Sequence, residues 1–202
     1  MGTMALDWLN KNVTEAGVDE AGRGCLAGPV VAGAVILPSD YHSDLLNDSK
    51  QLNEKSRYAL RTEIEQQAIA FGVGIVSEKE IDQINILNAS FLAMHRALDQ
   101  MGESFDLVAV DGNRFKPYKK VPFECVVKGD GKIWSIAAAS ILAKTYRDDI
   151  MKELHEEFPV YDWNNNKGYP TKKHRAAIKE HGACKYHRQS FKLLPEEQLE
   201  LF

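Results

Sequence analysis

Apolar positions along the chain follow two rhythms, and the switches between them mark out the elements. Residues 15–20 form a short run with paired acids at its end, and residues 30–37 are almost wholly apolar and rich in β-branched side chains; both read as strands. Asn53 is a good N-cap, and Leu60, Ile64, Ala68 and Phe71 follow at helical spacing until Gly72. Val73 to Val76 reads as a third strand. Ser77-Glu78-Lys79-Glu80 is a capping-box pattern that starts a short helix. Leu87, Phe91, Met94, Leu98 and Met101 form a stripe of core-packing residues closed by Gly102. Leu107 to Val110 and Phe123 to Val127 read as two more strands. From Ile133 to about Glu157 the pattern is helical, and its first half is small and apolar. Such a face packs closely on a sheet, which makes this the central helix. Pro159 ends that region, and Thr171 caps a basic helix, Lys172 to His181, stopped by Gly182.

Composition narrows the class. With 202 residues, 44% hydrophobic and 27% charged, the chain is long enough for one sizeable domain, or one with a small appendage. No run approaches the ~20 apolar residues of a membrane span. The first residues carry neither a basic region nor a long apolar core, so no secretory signal is expected. Cys25, Cys125 and Cys184 are far apart and odd in number, which points to a reducing cytoplasm rather than a disulfide framework. The net charge of -4 is unfavourable for a nucleic-acid binder, but its distribution is uneven: Asn164 to Lys192 holds eight Lys/Arg against one acid, Glu180. Residues 1–163 hold 17 basic and 25 acidic residues, and the last ten add three more acids. A basic segment beside clustered acids matches the footprint of a phosphate-backbone binder. A solvated basic face is the plainer alternative.

The densest chemistry lies in Gly17-Val18-Asp19-Glu20-Ala21-Gly22-Arg23-Gly24. Adjacent residues on a regular strand point to opposite faces, so if Asp19 and Glu20 serve one site the strand is expected to end or bulge there. Gly22 and Gly24 permit a turn and let backbone approach a ligand, and Arg23 can meet a phosphate. Acids for metal, amides for a sugar and a cation for phosphate indicate a nuclease; a tight turn with two solvated acids is the alternative. A dinucleotide-binding loop is excluded, because it must open a helix and this stretch leads into a strand. Asp111, at the C-terminal end of its strand, stands where ligands collect on α/β sheets, or simply forms an Asp-Gly turn. Asp130, in the loop Lys128 to Lys132, either caps the next helix or completes a metal site. Lys144 and Arg147 lie three apart on the central helix, within reach of the site. Asp148 ranks lower, as a partner for a Lys or Arg. His181, Cys184 and His187 have metal-ligand spacing but lack an evident fourth ligand.

Together these residues resemble the type 2 ribonuclease H family, in its bacterial ribonuclease HII form. The match runs from about Ala16 to Phe191. It rests on Val18-Asp19-Glu20-Ala21-Gly22-Arg23-Gly24, Asp48-Ser49-Lys50, Val110-Asp111-Gly112, Lys128-Gly129-Asp130, residues 137–144, Gly168-Tyr169-Pro170-Thr171 and His187-Arg188-x-Ser190-Phe191. Seven motifs in order are far more specific than any one of them. The resemblance implies an α/β fold, a ribonuclease H-like mixed β-sheet flanked by helices: a catalytic core over 1–158 and a small C-terminal basic helical lobe and tail over 159–202. It implies cleavage of RNA in RNA–DNA hybrids, and of duplex DNA at single embedded ribonucleotides, as in ribonucleotide excision repair. The family's metal-binding acids fall on Asp19, Glu20, Asp111 and Asp130. Its ribose-sensing segment falls on Gly22, Arg23 and Gly24, and its junction-sensing tyrosine on Tyr169. Cys25 departs from the pattern, which usually has Pro.

Four carboxylates are a hard-oxygen donor set suited to two divalent ions, Mg²⁺ or Mn²⁺, and hydrolysis is expected on the 5′ side of a ribonucleotide, leaving 3′-hydroxyl and 5′-phosphate ends. Lys50, Lys144, Lys172, Lys173 and Arg175 are candidate phosphate contacts. Gln198-Leu199-Glu200-Leu201-Phe202 resembles the short motif that docks replication proteins on the bacterial sliding clamp, with Gln198, Leu199, Leu201 and Phe202 as contacts; a further helical turn folded on the lobe is the alternative. A monomer without membrane association is expected. The runner-up is another metal-dependent nuclease of the same fold.

Overall fold

The computed structural model describes residues 6–47 and 52–194. Lys50 and the tail residues Gln198, Leu199, Leu201 and Phe202 lie outside them. Five strands form one mixed sheet: β1 (Glu15–Ala21), β2 (Val30–Ile36), β3 (Ala70–Val76), β4 (Leu107–Asp111) and β5 (Phe123–Val126), in the order β3-β2-β1-β4-β5. The first three strands pair antiparallel, while β4 runs parallel to both β1 and β5.

Helices cover both faces. Following the short α1 (Asp44–Asn47), α2 (Glu54–Gln67) is capped by Asn53, whose side chain accepts from the Ser56 amide. α3 (Glu78–Ile84) opens with the expected capping box of Ser77 and Glu80, and α4 (Ile86–Gln100) lies on one face of the sheet over Val18, Ala32, Val76 and Val110. α5 (Trp134–Glu157) lies on the other face, with α2 outside it. Its small first half lets the backbones nearly touch. A Cβ on Gly17 would stand 2.2 Å from the Ser135 carbonyl carbon, and one on Gly33 would stand 2.4 Å from the Ala139 oxygen. Both glycines are therefore packing requirements that fix α5 against β1 and β2.

One boundary differs from the hydrophobic pattern. The helix expected to run to Phe71 ends at Gln67, and the third strand begins at Ala70 rather than Val73. Pairing decides it: residues 70–76 match Ile36 to Val30 along the whole of β2. Gly72 is thus a contact point, where a Cβ would meet the Ala97 oxygen of α4 at 2.1 Å. The C-terminal segment carries the short α6 (Trp163–Asn166) and α7 (Lys172–His181). Trp163, Tyr161 and Ile178 form a small core of their own that also takes in Leu26, Ala27 and Met151 of α5. The lobe is therefore joined to the loop between β1 and β2.

Candidate active site

The acids gather where the β1–β4 ladder stops. The last pair in parallel register is Val18 with Val110, so the next residues, Asp19 and Asp111, emerge side by side. Both turn toward α5. Asp19 accepts a hydrogen bond from Ser140, and Lys144 acts electrostatically on both carboxyls while its ammonium donates to the Ser140 hydroxyl at 2.6 Å. β1 neither ends nor bulges at Glu20, so the two acids leave the strand on opposite faces. The ladder continues regularly to Ala21 opposite Val31, so Glu20 points to the α4 side. There it lines a cavity of about 320 Å³ with Arg23, Asp111, Asn113, Arg114, Phe91 and Met94. The pair straddles the C-terminal end of the middle strand, and both carboxyls lie within the field of Asp111.

Asp130 comes in from a single 3-10 turn, Gly129–Gly131, just before α5. Asp111 holds that turn: its Oδ1 accepts from the Gly129 amide at 2.7 Å and from the Asp130 amide at 3.4 Å. A Cβ at position 129 would lie 2.6 Å from the tip of the Ile136 side chain, which would have to turn aside.

The four acids form a chain of repelling charges. Asp19 is only 6% exposed, and burial, then the charges of Glu20 and Asp111, push its carboxyl up to about 7. Burial also raises Glu20, against the Arg23 guanidinium that lies 3.0 Å away, and it raises Asp111, against the Gly129 amide. Asp148 stands apart, beside Arg57 at 4.0 Å and within the fields of Lys167 and Arg147. Among the described residues, no group of three or more His, Cys, Asp or Glu stands ready-placed to hold a metal ion. The donor chemistry fits a hard divalent cation all the same: every candidate donor is a carboxylate, and a cation would offset the burial and mutual repulsion that raise three of them.

The loop after β1 stands beside this cluster. Gly22 adopts φ +94°, and a Cβ there would strike the Arg147 side chain at 2.0 Å; Gly24 has open space around it. Two buried arginines hold the loop from behind. Arg147, expected to reach the acids, instead donates to the carbonyls of Pro29, Lys167 and Ala27 at 2.9, 2.8 and 3.1 Å. Arg188 donates to Gly28, Arg23 and Pro29 at 3.0, 3.0 and 3.1 Å. Five of these six guanidinium bonds draw loop carbonyls inward, and the sixth ties in Lys167 of the C-terminal segment. Sequence alone assigns Arg188 to a motif but counts its charge with the basic surface; nothing in spacing distinguishes a buried guanidinium from a solvated one.

Tyr169 is 49% exposed on the loop before α7, with its hydroxyl beside the buried thiol of Cys25. It therefore neighbours Gly24. Lys172 and Lys173 are exposed at the start of α7, whereas Arg175 donates through one nitrogen to the carbonyls of Lys192 and Leu193. The triad His181, Cys184 and His187 is not assembled. Cys184 Sγ does stand 3.4 Å from His187 Nδ1, but His181 lies by Glu180 instead, and the other nitrogen of His187 turns to His174.

Comparison with known proteins matches residues 16–194 to the family model Ribonuclease HII. The chain belongs to the ribonuclease HII family. Its ribonuclease HII relative from Bacteroides fragilis is 66% identical over 199 residues, covering 98% of this chain and 99% of that protein. Among solved structures, ribonuclease H2 of Pyrococcus horikoshii superposes with TM-score 0.73 at 25% identity, covering 89% of this chain and 94% of that one. Ribonuclease HII of Archaeoglobus fulgidus, solved in complex with PCNA, gives TM-score 0.73 at 25% identity, covering 94% and 100%. The mixed sheet with flanking helices is thus the ribonuclease H-like fold, and the chain is an endoribonuclease that hydrolyses the RNA strand of RNA–DNA hybrids.

Proposed function

We propose that the chain cleaves on the 5′ side of a ribonucleotide, including a single one embedded in duplex DNA, with Asp19, Glu20, Asp111 and Asp130 as the residues that hold divalent cations. The observation that carries this reading is the convergence of mutually repelling carboxyls on Asp111 at the end of the β1–β4 ladder, next to a glycine loop. Divalent ions bound there would supply an activated water and neutralise charge on the phosphoryl oxygens. The chain itself supplies position and discrimination. Asp111 orders the Gly129–Gly131 turn, so Asp130 is presented rather than left in a free loop. Lys144 balances the acids from α5 and stands ready for a backbone phosphate, with Lys172 and Lys173 extending the basic track. The backbone at Gly22, Arg23 and Gly24 meets the 2′-hydroxyl, the group that separates RNA from DNA. Tyr169 then stacks on the sugar that follows, testing whether it is deoxyribose.

A duplex carrying one ribonucleotide, incubated with Mg²⁺, Mn²⁺ or chelator, tests the reading. The parent should give 3′-hydroxyl and 5′-phosphate ends only with metal, and Asp19→Asn should lose at least 100-fold in rate, about 2.7 kcal/mol of barrier. Cyclic-phosphate ends, or full activity in chelator, would contradict it.

The tail offers a docking peptide for a sliding clamp, in keeping with the archaeal relative solved with PCNA. Deleting residues 198–202 should abolish capture on immobilised bacterial clamp and leave hybrid cleavage intact; undiminished capture would end that proposal.

A further inference from the structure

The C-terminal lobe buries two imidazoles against each other, and their partners fix where every proton sits. His174 and His187 are 0% and 1% exposed. The Trp163 indole N–H donates to His174 Nε2 at 3.0 Å, so that nitrogen carries a lone pair and His174 Nδ1–H donates to the Tyr169 carbonyl at 2.9 Å. The Cys184 amide donates to His187 Nδ1 at 3.0 Å, so the proton of His187 is on Nε2, which faces His174 Nε2 at 3.2 Å and shares that nitrogen's one lone pair with the Trp163 indole. The line is directional: from the Cys184 amide through two neutral rings to the backbone of Tyr169.

Its two ends belong to different substrate elements. The His187 backbone is bridged to Ala27, and the flanking Arg188 amide donates to the Leu26 carbonyl at 2.8 Å, immediately beyond Gly24 and Cys25. His174 holds Tyr169. The loop and the tyrosine segment share one direct backbone bond, from the Leu26 amide to the Gly168 carbonyl at 2.8 Å. Arg147 also spans the two, donating to the carbonyls of Ala27 and Lys167, and the Tyr169 hydroxyl lies against Cys25. The imidazole line is a further strut, and among the described residues it alone runs to the Tyr169 carbonyl from the far side of the lobe.

We infer that His174 and His187 are positioning residues that set the spacing between the Gly22–Gly24 loop and Tyr169, and thereby the preference for a ribonucleotide followed by DNA. This rests on the proposed role of Tyr169 at the sugar beyond the ribose. Neither imidazole touches the acids, so severing the strut should alter substrate preference more than the chemistry of cleavage.

Amide substitutions separate the two contacts of His187. In His187→Asn the amide replaces Nδ1, keeps the Cys184 bond and leaves His174 unlinked. In His187→Gln it replaces Nε2 and restores the strut. The readout is the ratio of cleavage at a single embedded ribonucleotide to cleavage of a continuous RNA–DNA hybrid. His187→Asn should lower that ratio about five- to tenfold, the weight of one hydrogen bond, with hybrid cleavage near the parent rate. His187→Gln should recover most of the ratio. An unchanged ratio in His187→Asn, beside a lowered one in Tyr169→Ala, overturns the strut and leaves the reading of Tyr169 standing; an unchanged ratio in both overturns the two together. Should His187→Asn fail to fold, imidazole ¹⁵N spectra of the unaltered protein decide: protons on Nδ1 of His174 and Nε2 of His187 support the strut, and any other pair of tautomers overturns it.

Discussion

Burial and two like charges hold the Asp19 carboxyl near pH 7, and that has a thermodynamic consequence in the metal-free protein. The unfolded chain releases this proton near its ordinary 3.8, whereas the folded chain keeps it up to about 7. Between those values the folded state binds more protons, so Asp19 disfavours folding increasingly as pH rises through the window. Metal-free Asp19→Asn should therefore be more stable than the parent above pH 7, on the order of 2–4 kcal/mol, with the gap closing toward pH 4. Thermal melts of both proteins in chelator across that range check the sign; a gap that widens toward acid would refute it. Arg23 shows the limit of reading residues one at a time. Sequence marks it as a phosphate contact, and the structure places its guanidinium on Glu20, where positive charge already compensates an acid.

Among the elements, β1 and α5 do most to place the site, and both are legible in the sequence. The acids at the end of β1 and the small apolar first half of α5 each imply their neighbours: a sheet whose backbone lies almost against a helix. Gly33 is the test of that contact. A side chain there has nowhere to go but into the Ala139 carbonyl, so Gly33→Val should lower stability by about 2–4 kcal/mol in urea titration, whereas Gly24→Ala, in open space, should change it by less than about 0.5 kcal/mol. Equal losses at the two positions would show that α5 is not seated as described. The boundary between α2 and β3 was not legible, because Ala68 and Phe71 satisfy a helical period as well as a strand. Only pairing along the whole of β2, a long-range term absent from local spacing, decides between them. The regular continuation of β1 past Glu20 was hidden for the same reason.

On the scale of the whole molecule, charge is arranged for a polyanion despite a net -4. The arrangement is subtler than a basic face. Arg188 counts with the basic surface in the sequence and Arg147 with the site, yet both are buried and hold the loop that carries Gly22 to Gly24. Motif order was enough to find the family. It could not show that the lobe and the loop share a core, nor that His174 and His187 meet, because those contacts join residues that no local pattern relates. The central claim is that carboxyls from β1, β4 and the Gly129–Gly131 turn hold divalent ions at the end of one ladder. Crystals soaked in Mn²⁺ and measured at the manganese absorption edge test it most directly. Anomalous density within about 2.2 Å of carboxylate oxygens of both Asp19 and Asp111 is the predicted result; density confined to other residues, with none between those two, would contradict it.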